Sequence, residues 1–208
     1  MQASECSSKP KISLQSESKG LEVLIETEHL YIQSYKEEDF EKCIPLYTNV
    51  KLTKYFDQGK PKSISEIEEI VRKGIEYFAQ EIPLGLFSIF SKSDKTSFIG
   101  QVDLLPTDIP GVVELGIILH REHQCKEYCL EIGKAILYHF TEELNKKYSE
   151  KIRQPIIKVI ASVHPKNYPC IRALKNVGMA FEEARERFGN PRLWYSYKTS
   201  FVKDGKSY

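Results

Sequence analysis

Residues 112–129 read VVELGIILHREHQCKEYC. Val112–Leu119 is a short apolar run holding one carboxylate, Glu114, and it predicts a strand. Further on the period changes. Cys129, Ile132, Ile136 and Phe140 fall on one face of a helix running from Lys126 to Leu144. The chain therefore passes from strand to helix near Gln124. A helix N-terminus offers unbonded N–H groups and the positive end of the backbone dipole, so a ligand phosphate fits at that turn.

Outward from this unit the chain keeps mixing the two periods. Pro155–Val163 (PIIKVIASV) is almost continuously apolar and predicts a strand covered on both faces. Tyr168–Val177 predicts a short helix stopped by Gly178. Phe181–Arg187 and Leu193–Ser200 predict the last two strands, joined by the turn FGNPR. On the other side, Leu84–Phe90 and Ser97–Leu105 predict a hairpin across SKSDKT. Ile64, Ile67, Ile70, Val71, Ile75 and Phe78 make one apolar stripe, opened by a capping box of Ser63 and Glu66. Glu38–Val50 is helical through Phe40, Cys43, Ile44 and Tyr47, and Leu30–Tyr35 alternates as a half-buried strand. The order predicts a single α+β domain, with a mixed, mostly antiparallel sheet of six to seven strands flanked by four helices.

Composition narrows the classes. Apolar residues make up 41% and charged residues 28% of the 208 residues, which excludes global disorder. Thirty Lys and Arg against 29 Asp and Glu leave a net charge of +1, with no basic surplus to attract nucleic acid or an anionic membrane. No apolar run reaches the roughly 18 to 20 residues of a membrane span. Residues 1–22 are rich in Ser, Lys and Glu and predict a disordered tail, with the domain over 23–203 and a short tail over 204–208. The opening residues lack the apolar stretch of a signal peptide, and five irregularly spaced cysteines do not read as a disulfide framework. A cytoplasmic protein with reduced thiols is expected. His120, His123, Cys125 and Cys129 lie within ten residues and carry zinc-type donors, but their spacing matches no finger pattern, and no metal is expected.

Four stretches together carry a family resemblance: Thr27-Glu-His-Leu30 with the later Asp39, Ile99-Gly-Gln-Val102, Val113-Glu-Leu-Gly116, and His164-Pro-Lys-Asn167-Tyr-Pro-Cys170 running to Gly178-Met179. In this order and spacing the chain, over residues 25–200, resembles a GNAT-superfamily acetyltransferase of the ribosomal-protein N-terminal type. The resemblance implies acetyl-CoA as co-substrate and an amine-bearing protein or small molecule as acceptor, attacking the thioester directly. It implies cofactor contacts at Ile117, Ile118, Leu119 and Asn167, and a phosphate cradle over Gln124, Cys125, Lys126, Glu127, Tyr128 and Cys129. Glu131 stands where the family often has Glu. Glu127 stands where the family places its first cradle glycine. A carboxylate about 4 Å from a phosphate charge opposes binding by on the order of 4 kcal/mol at an effective dielectric near 20. A GNAT-like binding module with a weakened cofactor site is therefore the alternative to an enzyme.

Acyl transfer to an amine needs a proton acceptor. Glu114, in mid-strand, is the first candidate, because burial would raise its proton affinity. A solvent-facing strand residue is the plainer reading of it. Glu182 is the second candidate, against a strand-edge charge. Cys170 is a candidate acid for the departing thiolate, against a small packed residue. Asn167 sits where it would also cap the short helix.

Overall fold

The computed structural model describes residues 9–124, 128–152, 154–187 and 189–203. They form a nine-stranded sheet in the order β1-β2-β3-β4-β5-β6-β7-β9-β8. The strands are β1 (Lys11–Glu17), β2 (Gly20–Glu26), β3 (Leu30–Ser34), β4 (Gly85–Ser91), β5 (Phe98–Pro106), β6 (Val112–Leu119), β7 (Lys158–Val163), β8 (Ala180–Arg187) and β9 (Asn190–Lys198). All neighbours are antiparallel except β6 and β7. The last strand thus inserts between β7 and β8.

The mixed sheet matches the expected class, but its strand number is higher by one hairpin. Residues 11–22 are not a tail. Ile12 and Leu14 alternate with polar residues, as do the buried Leu21, Val23 and Ile25, and the two runs pair from Lys11↔Glu26 to Glu17↔Gly20. The period of two outweighs the polar composition. Gly20 turns the chain at φ +119°, and a Cβ there would lie 2.5 Å from the Phe78 carbonyl oxygen.

Helices α1 (Phe40–Thr48), α2 (Val50–Thr53) and α3 (Ile64–Ala79) cover one region of the sheet. The capping box forms: Glu66 N–H donates to Ser63 Oγ at 3.3 Å, and Ser63 N–H donates to Glu66 Oε2 at 2.8 Å. Gly74 lets α3 lie on β4, since a Cβ would come 2.1 Å from Leu86 Cγ. The other major helix is one helical run. It comprises α4 (Tyr128–Lys134), a wider π-type segment (Ala135–Phe140) and α5 (Thr141–Lys147). Ile132, Ile136, Leu137 and Phe140 bury against Phe87, Val102, Leu104 and Leu115. Two short helices, α6 (Tyr168–Asn176) and α7 (Ser200–Lys203), complete the fold. Gly178 ends α6 at φ +81°, where a Cβ would meet the Tyr138 hydroxyl at 2.5 Å.

β7 is shorter than expected and not covered on both faces. Val159, Ala161 and Val163 enter the core, while Lys158, Ile160 and Ser162 are half-buried on the other face. Among the described residues no helix is long and apolar enough to cross a membrane.

Candidate active site: a wedge between two parallel strands

β6 and β7 pair only at Val112↔Lys158, Val113↔Val159 and Glu114↔Ile160. Beyond Glu114 each keeps its outer neighbour: β6 stays on β5 up to Leu119, and β7 stays on β9 up to Val163. Among the described residues, facing edges of both strands are thus left without a strand partner, over Leu115–Leu119 and Ala161–Val163. Backbone N–H and C=O groups along such edges are open to a bonding partner.

Alternation sorts β6 into two faces. Val113, Leu115 and Leu119 pack into the core with the long helix, and Ile117 is half-buried beside them. Ile118 is buried toward α1 and α3, and Glu114 and Gly116 share its face. Gln124 folds back at the top of the strand, donating from Nε2 to the Leu119 carbonyl at 3.0 Å. Tyr128 then begins α4, its ring 6.2 Å from that of His123. Cys125, Lys126 and Glu127, the centre of the expected cradle, lie outside the described residues.

Glu131 anchors the helix that follows this turn. It accepts from the Thr27 hydroxyl at 2.5 Å, from His29 N–H at 2.8 Å, and lies 3.0 Å from His29 Nδ1. This gives a physical reason for the Thr27–Leu30 stretch and the distant Glu to go together. Asp39 is likewise internal, accepting from Ser88 Oγ at 2.7 Å and Lys42 Nζ at 2.8 Å.

At the base of the wedge Glu114 is paired with Arg187 of β8. Across the sheet from it, Asp103 of β5 stands opposite Gly116. A Cβ on Gly116 would lie 2.5 and 2.6 Å from the two Asp103 carboxylate oxygens, so the missing side chain is the space the carboxylate occupies. Burial first, and the Glu114 charge second, push the Asp103 carboxyl up to about 7. Nothing in the sequence reading singled out Asp103, although its signal equals that of Glu114: one carboxylate inside an apolar strand.

The other walls were also missed. Arg192, only 3% exposed, reaches from β9 to the carbonyls of Tyr55 and Asp57 and pins the loop after α2 across this face. The Tyr55 ring lies 5.0 Å from His164, at the end of β7. Arg185 and Arg187 stack over Trp194, at 4.0 and 5.1 Å from the ring centre. These residues come together only through the β7-β9-β8 order, which no local pattern encodes.

The other expected residues are Glu182, Cys170 and Asn167. Glu182 sits at a bulge of β8, bonded to Lys158 Nζ at 2.5 Å and Ser196 Oγ at 2.8 Å. The lysine contact chiefly holds its carboxyl below the usual range, which is the behaviour of an ion pair rather than of a proton acceptor. Cys170 is pushed up to about 12 by burial and by the adjacent Cys129 sulfur. That disfavours it as an acid toward a thiolate, since an ordinary thiol titrates near about 8.5. Asn167 caps α6, accepting from Cys170 N–H at 3.4 Å.

The acetyltransferase (GNAT) domain family matches residues 29–180. The chain belongs to this family. It is 23% identical over 158 residues, 76% of this chain and 83% of the relative, to the uncharacterized N-acetyltransferase YnaD of Bacillus subtilis. Among solved structures it is similar to spermidine N-acetyltransferase from Vibrio cholerae, in complex with CoA and spermine (TM-score 0.62, 19% identity, 82% of this chain and 96% of that one). It is also similar to RimL, a ribosomal alpha-N-protein acetyltransferase, in complex with coenzyme A (TM-score 0.64, 14% identity, 83% and 96%). At these identities the likeness is one of fold. The gap between β6 and β7 in this GNAT domain presents a strand edge without a strand partner among the described residues, and a helix starts beyond it.

Proposed function

We propose that the protein is an acetyl-CoA-dependent N-acetyltransferase acting on a primary amine. The observation that carries this is the unpaired β6 edge beside two half-buried carboxylates, Asp103 and Glu114. On this reading Ile117, Ile118 and Leu119 hold the amides of the acetyl-CoA arm along β6, and the stretch from Gln124 to Cys129 holds its phosphates. The backbone edge also offers N–H groups to the thioester carbonyl, where negative charge develops during attack. Acetyl-CoA supplies an activated acyl group. The chain supplies alignment, exclusion of water by the Arg192-pinned loop, and a carboxylate at the base of the wedge to accept a proton.

The acceptor side is the face lined by Glu114, Asp103, Tyr55 and the Trp194 stack. The resemblance to ribosomal-protein N-terminal acetyltransferases supports a peptide α-amine as the first acceptor to test. We place the protein in the cytoplasm, in keeping with the free thiols of Cys43, Cys129 and Cys170. The test is release of free CoA thiol from acetyl-CoA in the presence of a panel of peptide α-amines, lysine peptides and polyamines. Thiol release with at least one acceptor, and a matching acetylated product by mass, is expected. Acetyl-CoA binding without release across the whole panel would favour a GNAT-like binding module, as would be expected if Glu127 weakens the cradle.

A further inference from the structure

The acceptor-side face carries several carboxylates, and all but one are taken. Glu114 is paired with Arg187, Asp57 with Lys62, Glu183 with Arg185 at 3.5 Å, and Glu182 with Lys158. Asp103 has no ion pair and no side-chain hydrogen bond to another residue among the described residues. Its oxygens lie against the Cα of Gly116, at the second residue of the unpaired β6 edge. No side chain on that strand position stands between the carboxylate and the wedge.

We propose that Asp103 takes the proton from the acceptor amine, with Glu114 as a positioning residue held by Arg187. This rests on the acetyl-transfer reading. The ammonium form of the acceptor gives one proton to the Asp103 carboxylate and becomes a neutral amine. The amine nitrogen then bonds to the acyl carbon, the carbon–sulfur bond breaks, and the second nitrogen proton leaves with the thiolate as CoA thiol. Asp103 later returns its proton to water.

The surroundings suit this task. Glu114 from β6 and Asp57 from the loop after α2 raise the proton affinity of Asp103, and Arg187 from β8 lowers it. Tyr47 of α1 lies near enough to feel its charge, and is itself kept neutral by burial. A carboxyl balanced near about 7 is half ionised at neutral pH, so it can both accept and release a proton in each cycle.

Two readouts test the assignment in the full-length protein. In wild type, kcat/KM should rise with pH through about 7, the ionised form being the active one. Asp103→Asn should lower kcat by about a hundredfold to ten-thousandfold and abolish that limb. Glu114→Gln should keep the limb but move it to lower pH, because a charge that raises Asp103 is gone. If Glu114 itself were the base, Glu114→Gln would abolish the limb and Asp103→Asn would retain it, which would overturn the proposal.

The second readout is stability against pH and needs no acetyl-CoA. The folded-state carboxyl is raised from 3.8 to about 7. The unfolded chain therefore gives up this proton first, and wild-type stability should fall as pH rises between those values. The corresponding loss is about a thousandfold in the folding equilibrium. Asp103→Asn should remove this fall and be the more stable protein at pH 8. An Asn variant with the wild-type pH slope would count against the proposal. Calorimetry separates the two failures: if wild type binds no acetyl-CoA, the functional reading fails, whatever the stability profile shows.

Discussion

Gly116→Ala should lower turnover by about a hundredfold or more while leaving the fold intact, because displacing a catalytic group by about 1 Å is enough for such a loss. The new methyl carbon would come 2.5, 2.6 and 2.8 Å from the Asp103 carboxylate oxygens and Cγ. All three atoms belong to the end of a side chain, so the carboxylate can swing away without moving backbone. Gly116 also has no positive φ, so alanine adds no backbone strain there. The penalty falls on position rather than on stability. Steady-state kinetics beside a urea titration would read the two effects separately, with the unfolding free energy expected to stay within about 1 kcal/mol of wild type. Gly74→Ala offers the contrast. There the clash is with Leu86 Cγ at 2.1 Å inside the core, and overpacking is typically worth about 1–3 kcal/mol.

The largest loss of stability is expected from Phe87→Ala, at about 3–5 kcal/mol. Phe87 is fully buried on β4. Its ring meets Phe78 of α3 edge-on at 5.2 Å and Phe140 of the long helix at 5.7 Å. Truncation removes the centre of a three-ring stack that joins α3, the sheet and the long helix. Edge-to-face pairs add about 0.5–1.5 kcal/mol each beyond area burial, so the figure should fall toward the upper end. A urea unfolding curve would show the midpoint shift, with the slope unchanged if only packing is lost.

Local periodicity made most of this fold legible. The stripe from Ile64 to Phe78, the capping box at Ser63 and the strand at Val112 each announce themselves within one element. The hairpin of β1 and β2 did not, because Ser, Lys and Glu between its apolar residues masked a period of two. The extent of β7 was misjudged for a different reason. PIIKVIASV looks continuously apolar, yet Ile160 and Ser162 face the side on which β6 and β7 part.

The site was legible in half. The apolar run around Glu114 marks its strand, Gln124 enters through the family resemblance, and Glu131 and Asp39 prove to be internal anchors of the motifs in which they occur. Asp103 carried the same signal as Glu114 and was passed over, whereas Arg187 and Arg192 were not visible, because their contacts depend on which strands become neighbours. The insertion of β9 between β7 and β8 brings Arg187 and Arg192 to the acceptor-side face, and no stretch of sequence shorter than the sheet contains that information. For Cys170 the sequence left an acid and a packed residue open, and its packing against the core, a property of the assembled helices, favours the second.

Isothermal titration of acetyl-CoA into the full-length protein, with Glu127→Gly titrated alongside, tests directly whether the wedge between β6 and β7 takes acetyl-CoA. Saturable binding by the wild-type protein in the micromolar range, corresponding to about −8 kcal/mol, is expected, with equal or tighter binding by Glu127→Gly. Binding by Glu127→Gly alone would show an intact wedge closed by that carboxylate, and would turn the account toward a non-catalytic module. No binding by either protein would contradict acetyl-CoA binding in the wedge.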